Sequence, residues 1–144
     1  MAHFPARVLP LLVFLLAGAA AAQDALDGLS FSGMTGEKGK GDHHADTITF
    51  RDGIFRSLDC ENWGFGPAPY EMERVSNGYR FTAILKSPDR GELAWTGTIV
   101  DNTARATFRW THKRWYWTIE RDYWFEGTRD TKRPSASSPA VRTR

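Results

Sequence analysis

The segment of the chain with the richest binding chemistry is residues 110–117, Trp-Thr-His-Lys-Arg-Trp-Tyr-Trp. Aromatic rings interleaved with cationic side chains can stack on sugars, nucleobases or other planar ligands, and an exposed cation over a ring adds about 0.5–1 kcal/mol. Trp110, Trp115 and Trp117 are therefore candidate ligand-binding residues. The alternative is that half of these rings pack into the protein while the cations stay in water.

A second unusual segment is residues 60–69, Cys-Glu-Asn-Trp-Gly-Phe-Gly-Pro-Ala-Pro. Its glycines allow backbone conformations that other residues avoid, and Pro67 and Pro69 stiffen the chain that follows. Trp63 and Phe65 could form a lid or one rim of a pocket, so both are candidate ligand-binding residues. The alternative is a structural corner whose rings plug one end of the fold.

Cys60 is the only cysteine of the chain and its one candidate for covalent chemistry. A catalytic thiol needs a histidine, and His112 is the histidine beside a predicted core strand. The alternative is a buried cysteine that behaves as a small apolar side chain. Because its neighbours are acidic and it has no cysteine to pair with, we expect Cys60 to be buried. No other motif of an active site occurs, so we predict that the protein is not an enzyme.

Potential metal ligands cluster at Asp42, His43, His44 and Asp46. Imidazole and carboxylate groups suit zinc or copper, but side chains of adjacent residues on a strand point apart. A solvated loop is the better interpretation, and we predict neither a metal nor another cofactor. The glycine-rich segment 36–41 lacks the Gly-Lys-Ser/Thr ending of a phosphate-binding loop.

Residues 1–22 have the three parts of a secretory signal. Arg7 lies in a short first region, residues 8–16 are apolar apart from one proline, and small residues lead to an expected cut after Ala22. The apolar stretch spans about 15 residues, whereas a membrane span needs roughly 20. We therefore predict export to the periplasm or the extracellular space, without a stable membrane anchor.

Charge is unevenly distributed along the chain. Residues 24–128 contain 13 basic and 16 acidic residues, a net charge of −3, whereas residues 129–144 have a net charge of +4. A nucleic-acid-binding face would have to lie on the folded domain, and the charge of that domain argues against one. Residues 129–144 contain prolines and small residues but no aromatic residue, so they predict a disordered basic tail.

Turn signals divide the rest of the chain into short strands. The pairs Asp-Gly at 52–53 and Asn-Gly at 77–78 are strong hairpin signals, and Asp-Asn at 101–102 and the proline-containing 87–91 are further turns. No helical period persists after the signal peptide, so no substantial helix is expected. The predicted strands are 29–35, 46–51, 54–60, 70–75, 79–86, 92–100, 103–111 and 122–127.

Alternation is clearest in the later strands. Phe108 and Trp110 share a face opposite Arg105, and the same rule turns Phe81 and Trp95 inward. Strands with one apolar face and short turns close most simply into an eight-stranded antiparallel up-and-down barrel, which leaves no free edge. A two-sheet sandwich is the alternative. With these rings inside, we expect a mostly filled interior.

The opening Gly-x-x-Phe-x-Gly at 28–33 and the closing Tyr-Trp-Phe-x-Gly at 123–127, together with eight meandering strands, resemble the small calycin-like, or lipocalin-like, β-barrels exported by bacteria. The resemblance covers residues 26–128, the predicted barrel domain. It implies the architecture rather than an activity.

These features favour an exported binding module for a small apolar, aromatic or glycan-type ligand at an aromatic-rich barrel mouth. Trp95 joins the candidate binding residues because it faces the interior. The alternative is a protein-interaction or inhibitor-type module of the cell envelope that uses the loops around Trp63 and Trp115. An enzyme based on Cys60 and His112 is the third possibility.

Overall fold

Residues 25–131 are described by the structure, which is a computed structural model. The signal predicted for residues 1–22 lies outside this range, as does the predicted tail from residue 132 onward. Within the described range, no helix is long and apolar enough to cross a bilayer. The elements in chain order are β1 Ser30–Glu37, β2 His43–Arg51, β3 Ile54–Ser57, α1 Leu58–Asn62, β4 Ala68–Val75, β5 Gly78–Ser87, β6 Gly91–Val100, β7 Thr103–Lys113 and β8 Thr118–Arg129.

The eight strands form one closed antiparallel barrel in simple chain order. Each strand pairs with the next, and β1 closes the barrel by pairing with β8, from Phe31 opposite Arg129 to Glu37 opposite Tyr123. The predicted all-β, up-and-down barrel is confirmed, and α1 is the single short helix between its strands. Closure satisfies the backbone groups that an open sheet would leave unpaired.

Two of the predicted hairpins show different uses of glycine. At the β2–β3 turn, Asp52 and Gly53 both have positive φ, 51° and 74°, as the tight turn between twisted strands requires. At the β4–β5 turn the hairpin is present, but neither Asn77 nor Gly78 has positive φ. Gly78 is instead needed for close approach, because a Cβ atom there would lie 2.0 Å from the carbonyl oxygen of Ile99.

Several strand boundaries differ from those predicted. The strand expected to run to Cys60 ends at Ser57, where α1 begins. His43 and His44, expected in a loop, belong to β2 because they pair with Gly36 and Thr35 of β1. The last strand is longer at both ends than the predicted 122–127, and its end is held by a hydrogen bond from the Arg129 amide to a carbonyl in the β6–β7 turn.

Aromatic side chains fill the barrel interior at the end where β1 begins and β8 ends. Phe50 makes edge contacts at 5.0 Å with both Tyr70 and Phe81, and Phe55 lies 5.0 Å from Trp95. Such pairs add to the free energy gained by burying the rings. The inward orientation predicted for Phe81, Trp95 and Phe108 is confirmed, and so is the outward orientation of Arg105.

This end is closed by the turn that precedes β1. Leu26 is fully buried, and the Asp27 carboxylate accepts hydrogen bonds from the Tyr70 hydroxyl at 2.8 Å and the Gly53 amide at 3.1 Å. These donors lower the pKa of Asp27, because they stabilise its ionised form. Asp27 therefore ties the start of the domain to β4 and to the β2–β3 turn.

Candidate functional site

A cavity of about 320 Å³ lies at the opposite end of the barrel, between α1, the β5–β6 turn and the inner faces of β7 and β8. We call it the mouth cavity. The expected mostly filled interior therefore holds only at the end where β1 begins and β8 ends. The apolar walls of the mouth cavity include Trp63, Phe65, Leu93, Phe108, Trp110 and Tyr123.

The mouth cavity brings together three of the six predicted ligand-binding residues, namely Trp63, Phe65 and Trp110. Trp95 is fully buried and lies behind the wall formed by Phe108 rather than in the lining. The other two, Trp115 and Trp117, lie in the β7–β8 turn outside the cavity.

The wall formed by β6, β7 and β8 is a stack of rings. Trp95, Phe108 and Tyr123 are directly opposite one another on these neighbouring strands. Phe108 lies 4.0 Å from Trp95 with an interplanar angle of 12°, and 5.1 Å from Tyr123 with an angle of 8°. The register of the sheet therefore builds this wall from rings stacked on one another, with Phe108 held between Trp95 and Tyr123.

The opposite wall depends on α1, and a buried carboxylate positions this helix. Asp46 on β2 accepts hydrogen bonds from the Ser57 hydroxyl at 2.8 Å and from the Asp59 amide at 3.0 Å. The Ser57 hydroxyl in turn caps the helix by accepting a hydrogen bond from the Cys60 amide. Burial raises the pKa of Asp46, although its hydrogen-bond donors oppose that shift. The helix is thus fixed by a polar group from another strand.

The chain leaves α1 through a tight reversal that positions Trp63 and Phe65. The Phe65 amide donates a hydrogen bond back to the carbonyl of Cys60, and Gly64 between them has a φ of 90°. The Gly66 amide then donates to the carbonyl of Lys86 on β5. Phe65 is buried as a result, whereas Trp63 is 55% exposed at the rim. The segment therefore provides both a packed corner and one side of a pocket.

Two arginines flank the rings at the rim. The Trp110 indole Nε1 donates a 2.6 Å hydrogen bond to the backbone carbonyl of Arg90 in the β5–β6 turn. The Arg90 guanidinium lies over the Trp63 ring, 5.7 Å from its centroid, and that of Arg121 lies 6.0 Å from the Trp110 centroid. Both arginines line the mouth cavity, and our sequence reasoning did not identify either of them.

Cys60 lines the mouth cavity but is almost fully buried, as expected. Burial raises the pKa of its thiol to about 12, and the nearby carboxylates of Asp46, Asp59 and Glu61 act in the same direction. The histidine that lines this cavity is His44 rather than the expected His112.

We predict that the Cys60 thiol reacts slowly with a maleimide in the native protein near neutral pH, because burial keeps it protonated and shielded. Labelling should become fast in denaturant. A Ser76→Cys variant, which places a second thiol in the exposed β4–β5 turn, should gain one rapidly labelled site. Rapid labelling of native wild-type protein that His112→Ala abolishes would contradict this prediction.

The potential metal ligands do not converge within residues 25–131, where no group of three such side chains is close enough to hold an ion. The His44 Nε2 lies 2.8 Å from the Asp59 carboxylate, while His43 contacts the carbonyl of Gly41. Asp46 points instead into the hydrogen-bond network that holds α1.

The β7–β8 turn forms a separate aromatic surface. A hydrogen bond from the Arg114 amide to the Trp117 carbonyl closes the turn. Trp115 is 94% exposed, and the rings of Trp115, Tyr116 and Trp117 contact one another at 4.5 and 5.0 Å. Contiguous exposed apolar patches are a common feature of interaction sites.

Fold and site together define a closed eight-stranded barrel with an aromatic cavity at one end. Comparison with protein-family models, curated proteins and solved structures finds no match for the chain.

Proposed function

We propose that this protein is an exported binding module that holds a small, mainly apolar or aromatic molecule in the mouth cavity. The single observation that supports this most is the convergence of Trp63, Phe65 and Trp110 around about 320 Å³ of space. Ligand sites are typically concave, largely apolar and roughly 300–1,000 Å³ in volume. An eight-stranded barrel can hold one small ligand, and the mouth cavity offers that space.

The character of the walls favours a flat ligand. Trp63 supplies an exposed ring on one side of the cavity, and the stacked rings of Phe108 and Tyr123 form an apolar wall on the other. Offset stacking of a flat ligand on the Trp63 ring would add about 0.5–1.5 kcal/mol to the burial of apolar surface. A sugar ring could use the same surfaces, so a glycan fragment belongs to the same proposal.

We predict that the neutral fluorescent probe N-phenyl-1-naphthylamine binds the native protein and that Trp63→Ala weakens this binding by roughly tenfold. Trp63 is a wall of the cavity and half-exposed, so its removal does not disturb the core. Fluorescence titration measures both affinities.

Trp115→Ala is the matched control, because it removes an equally large ring that lies outside the cavity. Its affinity for the probe should equal that of the wild type. Weakened binding in Trp115→Ala with no change in Trp63→Ala would contradict the proposed location.

A protein-interaction module is the second candidate function, and the exposed rings of the β7–β8 turn favour it. Trp115, Tyr116 and Trp117 lie beside Arg114, and Trp, Tyr and Arg are the residue types enriched where proteins contact one another. Under this alternative the envelope partner binds the turn, and the mouth cavity needs no ligand.

A further inference from the structure

The Arg90 guanidinium is held at the rim without an acidic partner. Within residues 25–131, no carboxylate oxygen lies within 4.0 Å of its nitrogens, and its ring contact is with Trp63 at 5.7 Å. A guanidinium carries five N–H donors, and stacking on a ring leaves them available. Arg90 can therefore donate to a further group beside Trp63.

The Arg121 guanidinium is only partly neutralised. Its Nη1 lies 3.5 Å from the Glu37 Oε2, and the Lys40 Nζ lies 3.4 Å from the same oxygen. One partly buried carboxylate is thus shared by two exposed cations, and each contact is longer than a strong ion pair. Arg121 adds a second positive charge to the rim of the mouth cavity.

The other ionisable groups that line the cavity do not cancel this charge. Asp59 is the only carboxylate of the lining, and its Oδ2 lies 2.8 Å from the His44 Nε2. The pKa values of Cys60 and Tyr123 are both raised by burial, so neither contributes a negative charge at neutral pH. Two guanidinium groups therefore face a cavity with one acid that is already engaged.

We propose that the ligand of the mouth cavity carries an anionic group, such as a carboxylate, at one end of its planar apolar body. The apolar body would lie against the rings of Trp63 and Trp110 while Arg90 and Arg121 bind the anion. Guanidinium groups match carboxylates in geometry, and a partly desolvated site strengthens that contact. The inference rests on the proposed function, because it names the ligand class of the same site.

Two matched probes, 1-naphthylacetate and 1-naphthylacetamide, test the inference, since they share one ring system and differ in charge. Calorimetric titration at low salt should show the acid binding about tenfold more tightly than the amide, and this preference should shrink as salt is added. Arg90→Gln and Arg121→Gln should each reduce the affinity for the acid and leave that for the amide nearly unchanged. Arg80→Gln, which removes an exposed arginine outside the cavity, should change neither affinity.

The outcomes separate the two proposals. Equal affinities for acid and amide, or arginine variants that bind the acid like the wild type, would overturn the anionic ligand and leave the binding cavity in place. If neither these two probes nor N-phenyl-1-naphthylamine binds the wild-type protein, the proposed function fails and the anionic ligand fails with it. Arg90 and Arg121 are exposed, so unchanged thermal melting should show that the variants fold.

Discussion

Phe108→Ala is expected to destabilise the protein by about 3–5 kcal/mol, because it removes a buried ring from a close-packed stack. Phe108 is the middle member of that stack, in contact with Trp95 on one side and Tyr123 on the other. A smaller side chain would leave a void that two large rings cannot fill without moving out of register. Denaturant unfolding of the wild type and the variant measures the difference.

Arg105→Ala is the control for this substitution, since Arg105 lies on the same strand with its side chain outside the barrel. It forms one exposed ion pair with Glu126 at 3.3 Å. Such a pair contributes little, so the expected cost is about 0.5 kcal/mol or less. Similar costs at the two positions would mean that the assignment of the inner and outer faces is wrong.

Asp46→Ala is expected to cost about 3 kcal/mol, because it leaves one buried and two partly buried donors without an acceptor. The Ser57 hydroxyl and the Asp59 amide both bond this carboxylate, and Thr47 contributes a third donor through its amide. Loss of the acceptor should also loosen α1 and weaken probe binding. Unfolding and probe titration on the same preparation measure the two effects.

Two further variants control for the role of this carboxylate. Asp46→Asn keeps an oxygen that can accept the two amides, so it should cost clearly less than Asp46→Ala. Asp42→Ala removes an exposed acid of the β1–β2 loop and should change stability by roughly 0.5 kcal/mol or less. Equal losses in Asp46→Ala and Asp42→Ala would show that Asp46 does not hold the helix.

The raised pKa of Asp46 adds a pH dependence with a definite sign. A carboxyl group whose pKa is higher in the folded state than in the unfolded state binds its proton more tightly when folded. The stability that it contributes is therefore greatest below its unfolded pKa and is lost as the pH rises through the folded pKa. The stability of the wild type relative to Asp46→Asn should accordingly increase as the pH falls from neutral toward 4.

Local patterns in the sequence predicted the barrel well where its strands are regular. Alternation in β5, β6 and β7 assigned Phe81, Trp95 and Phe108 to the interior, because each side chain there depends only on the pleat. The end of β3 was missed because its cause is not local. The strand stops at Ser57 since a carboxylate on β2 accepts hydrogen bonds from the start of α1.

The candidate site could be predicted only where its residues are unusual in the local sequence. Trp63, Phe65 and Trp110 stand out in composition, and they do meet at the mouth cavity. Arg90 and Arg121 did not stand out, because one lies in a polar turn and the other in a strand end rich in charged residues. The register of the β7–β8 hairpin, in which Arg121 is directly opposite Trp110, places Arg121 over that ring.

The most direct test of the central claim follows the six tryptophan indole signals by ¹H–¹⁵N NMR during titration with 1-naphthylacetate. Binding in the mouth cavity predicts large shifts for Trp63 and Trp110, with little change for Trp115 and Trp117 in the β7–β8 turn. Shifts confined to Trp115 and Trp117, or no shift at any tryptophan, would contradict a ligand site in the mouth of this barrel.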